Sequence, residues 1–280
     1  MAVIDQPEFP PVTWSWGPAE VRRYALAVGA PVDVMDRDDL DLVREHDPRV
    51  LGTFATLLAD AHSLRSIALP GLAYDPLDVL YAGHTLELPG PLPSTASGTS
   101  RSRILEIGDV RSGVLVRRET TSHDESGRLV ARNVVTSVIR GASIGSPFAA
   151  PEPESPSTGE PVEVRVPTLE RQAVLYAQTG DQNPLHLDPD AARAVGFDRP
   201  ILHGLCALGM VVHRVARDLA GRRWGAIRGV DVRFVAPVVP GEELIVSAVR
   251  AGDTVHFETR VGDRRVHANG RLDLVPDLGG

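Results

Sequence analysis

Two periodicities alternate along the chain. Residues 18–29 read PAEVRRYALAVG, with proline at a first helical position and glycine just past the end, which predicts a short helix. Residues 168–180 read TLERQAVLYAQTG and predict another, with Thr168 as N-cap, Glu170 favouring the start and Gly180 ending it. A longer apolar helix follows each, over about 49–69 and about 204–219. In the second, Leu205, Leu208, Val211, Val212, Val215 and Leu219 fall on one face. Alternating apolar and polar positions then predict strands at 85–88, 113–119 and 129–139, and again at 232–235, 243–249, 255–261 and 266–274. Turns such as Glu125-Ser126-Gly127 and Ala251-Gly252-Asp253 join them.

The order of elements thus occurs twice. Tyr24 and Tyr176 stand 152 positions apart, and Gly29 and Gly180 stand 151 apart. So constant an offset indicates duplication. Between the copies, Ser143 to Pro161 reads SIGSPFAAPEPESPSTGEP, rich in proline and poor in large apolar residues. Proline removes backbone donors and favours extended chain, so no packed element is expected there. The division is therefore residues 1–142, a proline-rich linker over 143–163, and residues 164–280. A buried helix against about four antiparallel strands in each half predicts an α+β protein whose sheets wrap round their helices. Two unrelated α+β domains are the alternative.

Composition narrows the function classes. With 42% hydrophobic residues and a mean hydropathy of −0.06, the chain suits a globular protein with a sizeable core. Its formal net charge of −8 argues against nucleic acid or an anionic membrane as partner. One cysteine, Cys206, permits no intrachain disulfide and fits a reducing cytoplasm, the expected location. The first residues show no basic-then-apolar leader, and no apolar run has the length of a membrane span. We expect a homodimer.

The chemistry-bearing segment is YAQTGDQNPLHLDPDAARAVGFDRPILHGLCALG, residues 176–209. Pro184 disfavours helical geometry at Asn183, so the chain is expected to run extended past Asp181 and His186. Asp181 and Asn183 can also build a turn through their own side chains. Asp188 caps a short helix, Pro189 starts it and Gly196 ends it. His203-Gly204 then opens the long apolar helix. There, free N–H groups and the helix dipole favour negative charge, and glycine lets a ligand approach the backbone. That glycine serves either helix packing or an oxyanion.

Tyr176 to Ala191, followed by His203-Gly204, closely resembles the signature of the R-specific enoyl-CoA hydratases, the hydratase 2 or MaoC-like dehydratase family. The likeness extends to YALAVGA, LELPGPLP, PILHGL and RFVAPVVPGE, and it is greatest to members with two hotdog folds in one chain. Gly180-Asp181-Gln182-Asn183-Pro184-Leu185-His186 is the specific part, and Gln178 replaces an apolar residue outside it. The resemblance implies a double hotdog fold and reversible hydration of a trans-2-enoyl-CoA thioester to the (3R)-3-hydroxyacyl product. It implies that Asp181 and His186 hold the nucleophilic water and that Asn183 orients it. It implies that the Gly204 N–H takes the thioester oxygen. Water must lose a proton as it attacks C3, and C2 must gain one, so a carboxylate–imidazole pair supplies both base and acid. Gln182, Pro184, Leu185, Phe234 and Arg111 complete the substrate contacts that the resemblance implies, with a surface ion pair for Arg111 and a core position for Phe234 as the alternatives.

No metal or redox cofactor is expected, since the sequence has neither a Cys/His cluster at ligand spacing nor a G-x-G-x-x-G. The first half offers Ala30-Pro31-Val32-Asp33-Val34 where the second has its motif, so one active site per chain is expected, with the first half forming the acyl pocket. Gly52, Ala55, Ala59 and Ala61 suggest room there for a bulky acyl group. Similar proteins place His-Gly before the LELPGPLP segment, whereas this chain has Tyr81-Ala82 and then His84. His62, His84, His123, His203 and His213 are given structural or surface roles. A hotdog thioesterase and a non-catalytic acyl-binding subunit are the alternative functions, with a carrier-protein thioester as the variant substrate.

Overall fold

The computed structural model describes residues 9–148, 159–221 and 224–275. From the first half come β1 (Val12–Trp16), β2 (Val79–Glu87), β3 (Ala96–Val110), β4 (Gly113–Asp124) and β5 (Leu129–Arg140). The second half supplies β6 (Val162–Pro167), β7 (Ile227–Phe234), β8 (Glu243–Ala251), β9 (Thr254–Val261) and β10 (Arg264–Leu274). They form one antiparallel sheet in the order β1-β3-β4-β5-β2-β7-β10-β9-β8-β6. Read outward from the centre, the two halves have the same order, as duplication requires. They join where β2 pairs with β7, from Gly83 opposite Arg233 to Glu87 opposite Gly229. This is the α+β double hotdog.

The helices are α1 (Pro18–Ala27), α2 (Arg37–Asp41), α3 (Gln172–Ala177), α4 (Pro189–Ala194) and α5 (Gly204–Leu219). The apolar face of α5 fills the second half's core, with Leu205, Leu208, Val211, Val212 and Val215 all buried and Leu219 partly so. The duplicated tyrosines meet, Tyr24 on α1 lying 6.2 Å from Tyr176 on α3 between ring centroids. Gln172 on α3 donates to the Ala27 carbonyl at the end of α1, tying the halves together (2.6 Å).

Four expectations are corrected. The long helix of the first half is a 3-10 helix over Gly52–His62 only, followed by turns to Pro70. Thr53 and Thr56 are β-branched and buried, and the Thr56 hydroxyl bonds the Thr53 carbonyl, an arrangement that competes with α-helical pairing. Thr168 does not cap α3; its hydroxyl donates to the Glu242 carbonyl and accepts the Gly241 N–H. Three strands lay outside the predicted set, β1, β3 and β6. β3 alternates serine, arginine and glycine with few apolar residues, which hides a strand with a solvated face. Finally, residues 143–148 of the expected linker are docked on β3: Phe148 N–H donates to the Asp109 carbonyl (2.9 Å) and Ile144 N–H to its carboxylate (2.8 Å). The prolines at 151, 153 and 156 lie outside the described residues.

Candidate active site

The loop after α3 is built by its own side chains. Gly180 has φ +127°, a conformation L side chains rarely adopt, and it turns the chain out of the helix. Asp181 Oδ1 accepts the Asn183 N–H at 3.1 Å, and Asn183 Oδ1 accepts the Leu185 N–H at 3.2 Å. The chain therefore does not run extended past His186; Pro184–His186 is one 3-10 turn capped by Asn183. Gln182 reaches back to the Ala177 carbonyl and holds the loop against α3. Leu185 is buried with Ala192 and Ile201, anchoring the turn. Asp188 caps α4 as expected, accepting the Asp190 and Ala191 N–H groups at 2.8 and 3.4 Å.

This turn brings His186 back to Asp181. His186 Nδ1 donates to the Ile201 carbonyl at 2.9 Å, which fixes the proton there and leaves Nε2 its lone pair. Burial, and next the neighbouring His203, hold the imidazole well below its ordinary pKa. It is therefore neutral at neutral pH and able to accept a proton. His203 packs its ring 3.8 Å from that of His186, and its Nε2 donates to the Asp181 carbonyl at 3.1 Å. Burial lowers its pKa too, against the pull of the Asp181 charge. The Asp181 carboxylate and one nitrogen of each histidine lie within 4.8 Å of one another. Such a trio also has the composition of a metal site, although His203 Nε2 is engaged with a carbonyl. Asn183 Nδ2 is buried without a protein partner among the described residues, a donor free for water or substrate.

Two cavities meet at this point. The larger, of about 790 Å³, is lined by Asp181, Gln182, Asn183 and Pro184 together with Leu57, Asp60 and Arg65 of the first half. The smaller, of about 310 Å³, is lined by Asp181, Leu185, His186, His203, Gly204 and Phe234, among others. Gly204 is the first residue of α5, so its N–H has no intrahelical acceptor and stands at the positive end of the dipole. A Cβ on Gly204 would lie 3.6 Å from the Phe234 ring. Phe234 is itself held edge-on by His267, with centroids 5.6 Å apart.

Eight of the nine expected site residues thus line these cavities. Arg111 does not: it is exposed on the β3–β4 turn, although its neighbour Ser112 lines the smaller one. Ala55 and Ala59 are wholly buried and line neither cavity, so they leave no room for an acyl group. Their carbonyls accept from Asn133 and Arg118, and it is Leu57 and Asp60 of the same helix that face the larger cavity.

The sequence reading missed four residues. His203 was legible as the neighbour of Gly204, but nothing local placed it on His186. Asp60, Arg65 and Tyr81 are remote from the motif. The Tyr81 hydroxyl donates to Asp60 Oδ1 at 2.8 Å, and the Arg65 guanidinium stands 5.2 Å over the Tyr81 ring. Tyr81 occupies one position of the His-Gly departure, the only signal the sequence carried.

Residues 14–141 match the family model described as the MFE-2 hydratase 2 N-terminal domain, and residues 153–271 match the MaoC-like domain. Enoyl-CoA hydratase ChsH3 of Mycobacterium tuberculosis is 33% identical over 88% of this chain and 87% of its own. Enoyl-CoA hydratase 2, peroxisomal, of Arabidopsis thaliana is 33% identical over 92% of this chain and 89% of its own. The full-length peroxisomal multifunctional enzyme type 2 of Drosophila melanogaster has a similar structure, with a TM-score of 0.81 and 31% identity, over 94% of this chain and 48% of that one. No helix among the described residues is long and apolar enough to cross a membrane. This chain belongs to the MaoC-like dehydratase and hydratase 2 family, in its double-hotdog form.

Proposed function

We propose that the protein reversibly hydrates a trans-2-enoyl-CoA thioester to the (3R)-3-hydroxyacyl-CoA. The observation that carries this reading is the approach of the Asp181 carboxylate and a His186 nitrogen within 4.8 Å, in a cavity that Gly204 also lines. Water held between carboxylate and imidazole loses a proton to the pair as its oxygen bonds to C3. The π electrons move onto the thioester oxygen, where the Gly204 N–H and the α5 dipole stabilise the charge. The pair then delivers a proton to C2 and the carbonyl re-forms. The neutral state of His186 suits the hydration direction, because its Nε2 must begin as an acceptor. Asn183 Nδ2 supplies the donor that fixes the water's orientation. His203 holds the Asp181 backbone and acts as a positioning residue. The first half contributes no acid–base pair equivalent to Asp181 and His186; it supplies the wall that the acyl group passes. The division at 143–163 and a cytoplasmic homodimer belong to the same reading.

A panel of enoyl-CoA thioesters tests it. Loss of enoyl absorbance without release of free thiol, with a 3R product on chiral analysis, is the expected result. Thiol release with the enoyl chromophore intact identifies a thioesterase instead, and a mainly 3S product refutes the substrate pose.

A further inference from the structure

Asp181 and Arg65 are the residues that line both cavities. Gly204 lines the smaller one and not the larger. If the thioester oxygen lies at Gly204 and C3 at Asp181, as the hydratase reading on which this inference rests requires, the acyl carbons beyond C3 enter the larger cavity.

The lining of that cavity mixes apolar surface with charged groups. Beside Leu57 and Leu77 stand Asp60, Ser63, Arg65 and Asp75. Arg65 gives one hydrogen bond to the Val79 carbonyl (3.0 Å) and stacks on Tyr81. No carboxylate comes within ion-pair distance of it among the described residues, and a guanidinium has further N–H donors to give. Asp60 is half-buried and takes the Tyr81 hydroxyl on Oδ1, which leaves its second oxygen for a ligand. Burial, and next the Asp181 charge, push the Asp60 pKa up to about 6. The Tyr81 phenol stays protonated, because burial raises its pKa far above the ordinary value.

Each class of acyl tail fares differently here. An unsubstituted alkyl chain would strip water from Arg65 and Asp60 and give no hydrogen bond in return. An anionic tail would face Asp60, Asp75 and Asp181 with Arg65 as the one cation lining that cavity. A neutral hydroxyl both donates and accepts, and so satisfies the two side chains at once. We propose that the physiological acyl group carries a neutral hydroxyl beyond C3, which donates to Asp60 and accepts from Arg65, and that Tyr81 fixes Asp60 for that contact.

The test uses the purified full chain and a matched set of medium-chain trans-2-enoyl-CoA thioesters. One is unsubstituted, others carry a single hydroxyl at each carbon from C5 outward in turn, and one ends in a carboxylate. Sites that hydrogen-bond a substrate hydroxyl reject analogues lacking it strongly, so at least one hydroxylated thioester is expected to exceed the unsubstituted one by ~10-fold or more in kcat/KM. Asp60→Leu and Arg65→Met, each checked for folding by thermal melting, are expected to bring that ratio close to unity. Arg65 is half-exposed and its replacement tests the inference even where Asp60→Leu melts early. Equal or greater kcat/KM for the unsubstituted chain overturns the proposal, as does preference for the carboxylate. So does a hydroxyl preference that survives both substitutions. The two levels separate: no hydration of any thioester in the set by the wild-type chain refutes the hydratase reading itself, whereas hydration without a hydroxyl preference overturns this inference alone.

Discussion

Mild acid is expected to destabilise the fold steeply, and the buried histidines set the size of the effect. His84, His213 and His267 are at most 2% exposed. Burial is the largest cause in pushing each from 6.5 down to about 4. In the unfolded chain these rings take up protons as the pH falls through their ordinary range, whereas in the fold they stay neutral until much lower pH. Between those values the unfolded state binds more protons, so stability that is fully present above 6.5 is lost as the pH falls towards 4. One ring contributes a slope of about 1.4 kcal/mol per pH unit, so the three remove roughly 6 kcal/mol by about pH 5. Asp60 acts in the opposite sense. Its carboxyl, raised from 3.8 to about 6 by burial and then by Asp181, protonates in the fold first and gains stability as the pH falls through that window. Its return by about pH 5 is roughly 1 kcal/mol. Over these four groups alone the loss is roughly 5 kcal/mol, comparable with the whole stability of many domains. Urea unfolding followed by tryptophan fluorescence at about pH 7 and about pH 5 measures it. His213→Leu removes one titrating ring and is expected to flatten the pH slope by about one proton. A free energy of unfolding that agrees within about 1 kcal/mol at the two pH values would refute the reasoning, since these rings would then titrate alike in both states.

Other perturbations probe the site directly. Asp181→Asn and His186→Ala are each expected to lower turnover by ~10²–10⁴-fold while the melting temperature holds, read by enoyl absorbance and calorimetry; near-wild-type turnover removes that residue from the mechanism. Gly204→Ala places a Cβ at ordinary contact distance, 3.6 Å, from Phe234, so the fold is expected to stand while the methyl takes space beside the oxyanion donor. Its kcat/KM is expected to fall at least ~10-fold, and an unchanged value would move the oxyanion site elsewhere. His203→Ala frees the Asp181 backbone, and a fall in kcat with little change in KM is the expected signature of lost positioning.

Local pattern alone was enough for much of this protein. The duplication, α5 with its buried face, the cap at Asp188 and the helix stop at Gly180 follow from short-range rules, because capping and helical periodicity act within a few residues, whereas the Pro184–His186 turn stands where extended chain was expected. The motif likewise put Asp181, Asn183, His186 and Gly204 within one continuous segment. Tertiary structure decided what that segment faces. Neither β3 nor the 3-10 geometry of Gly52–His62 could be read from periodicity: polar residues on both faces mask the alternation of β3, and burial nearly all round Gly52–His62 erases the contrast on which periodicity depends. The stacking of His203 on His186 depends on where α5 begins relative to the Pro184 turn, which is a packing result. Asp60, Arg65 and Tyr81 reach the site only because β2 pairs with β7 and carries the first half's 3-10 helix over the second half's loop. Sequence separation conceals such a contact, since each member is an ordinary residue until folding removes water from around it and leaves its hydrogen bonds to be met by neighbours or by substrate.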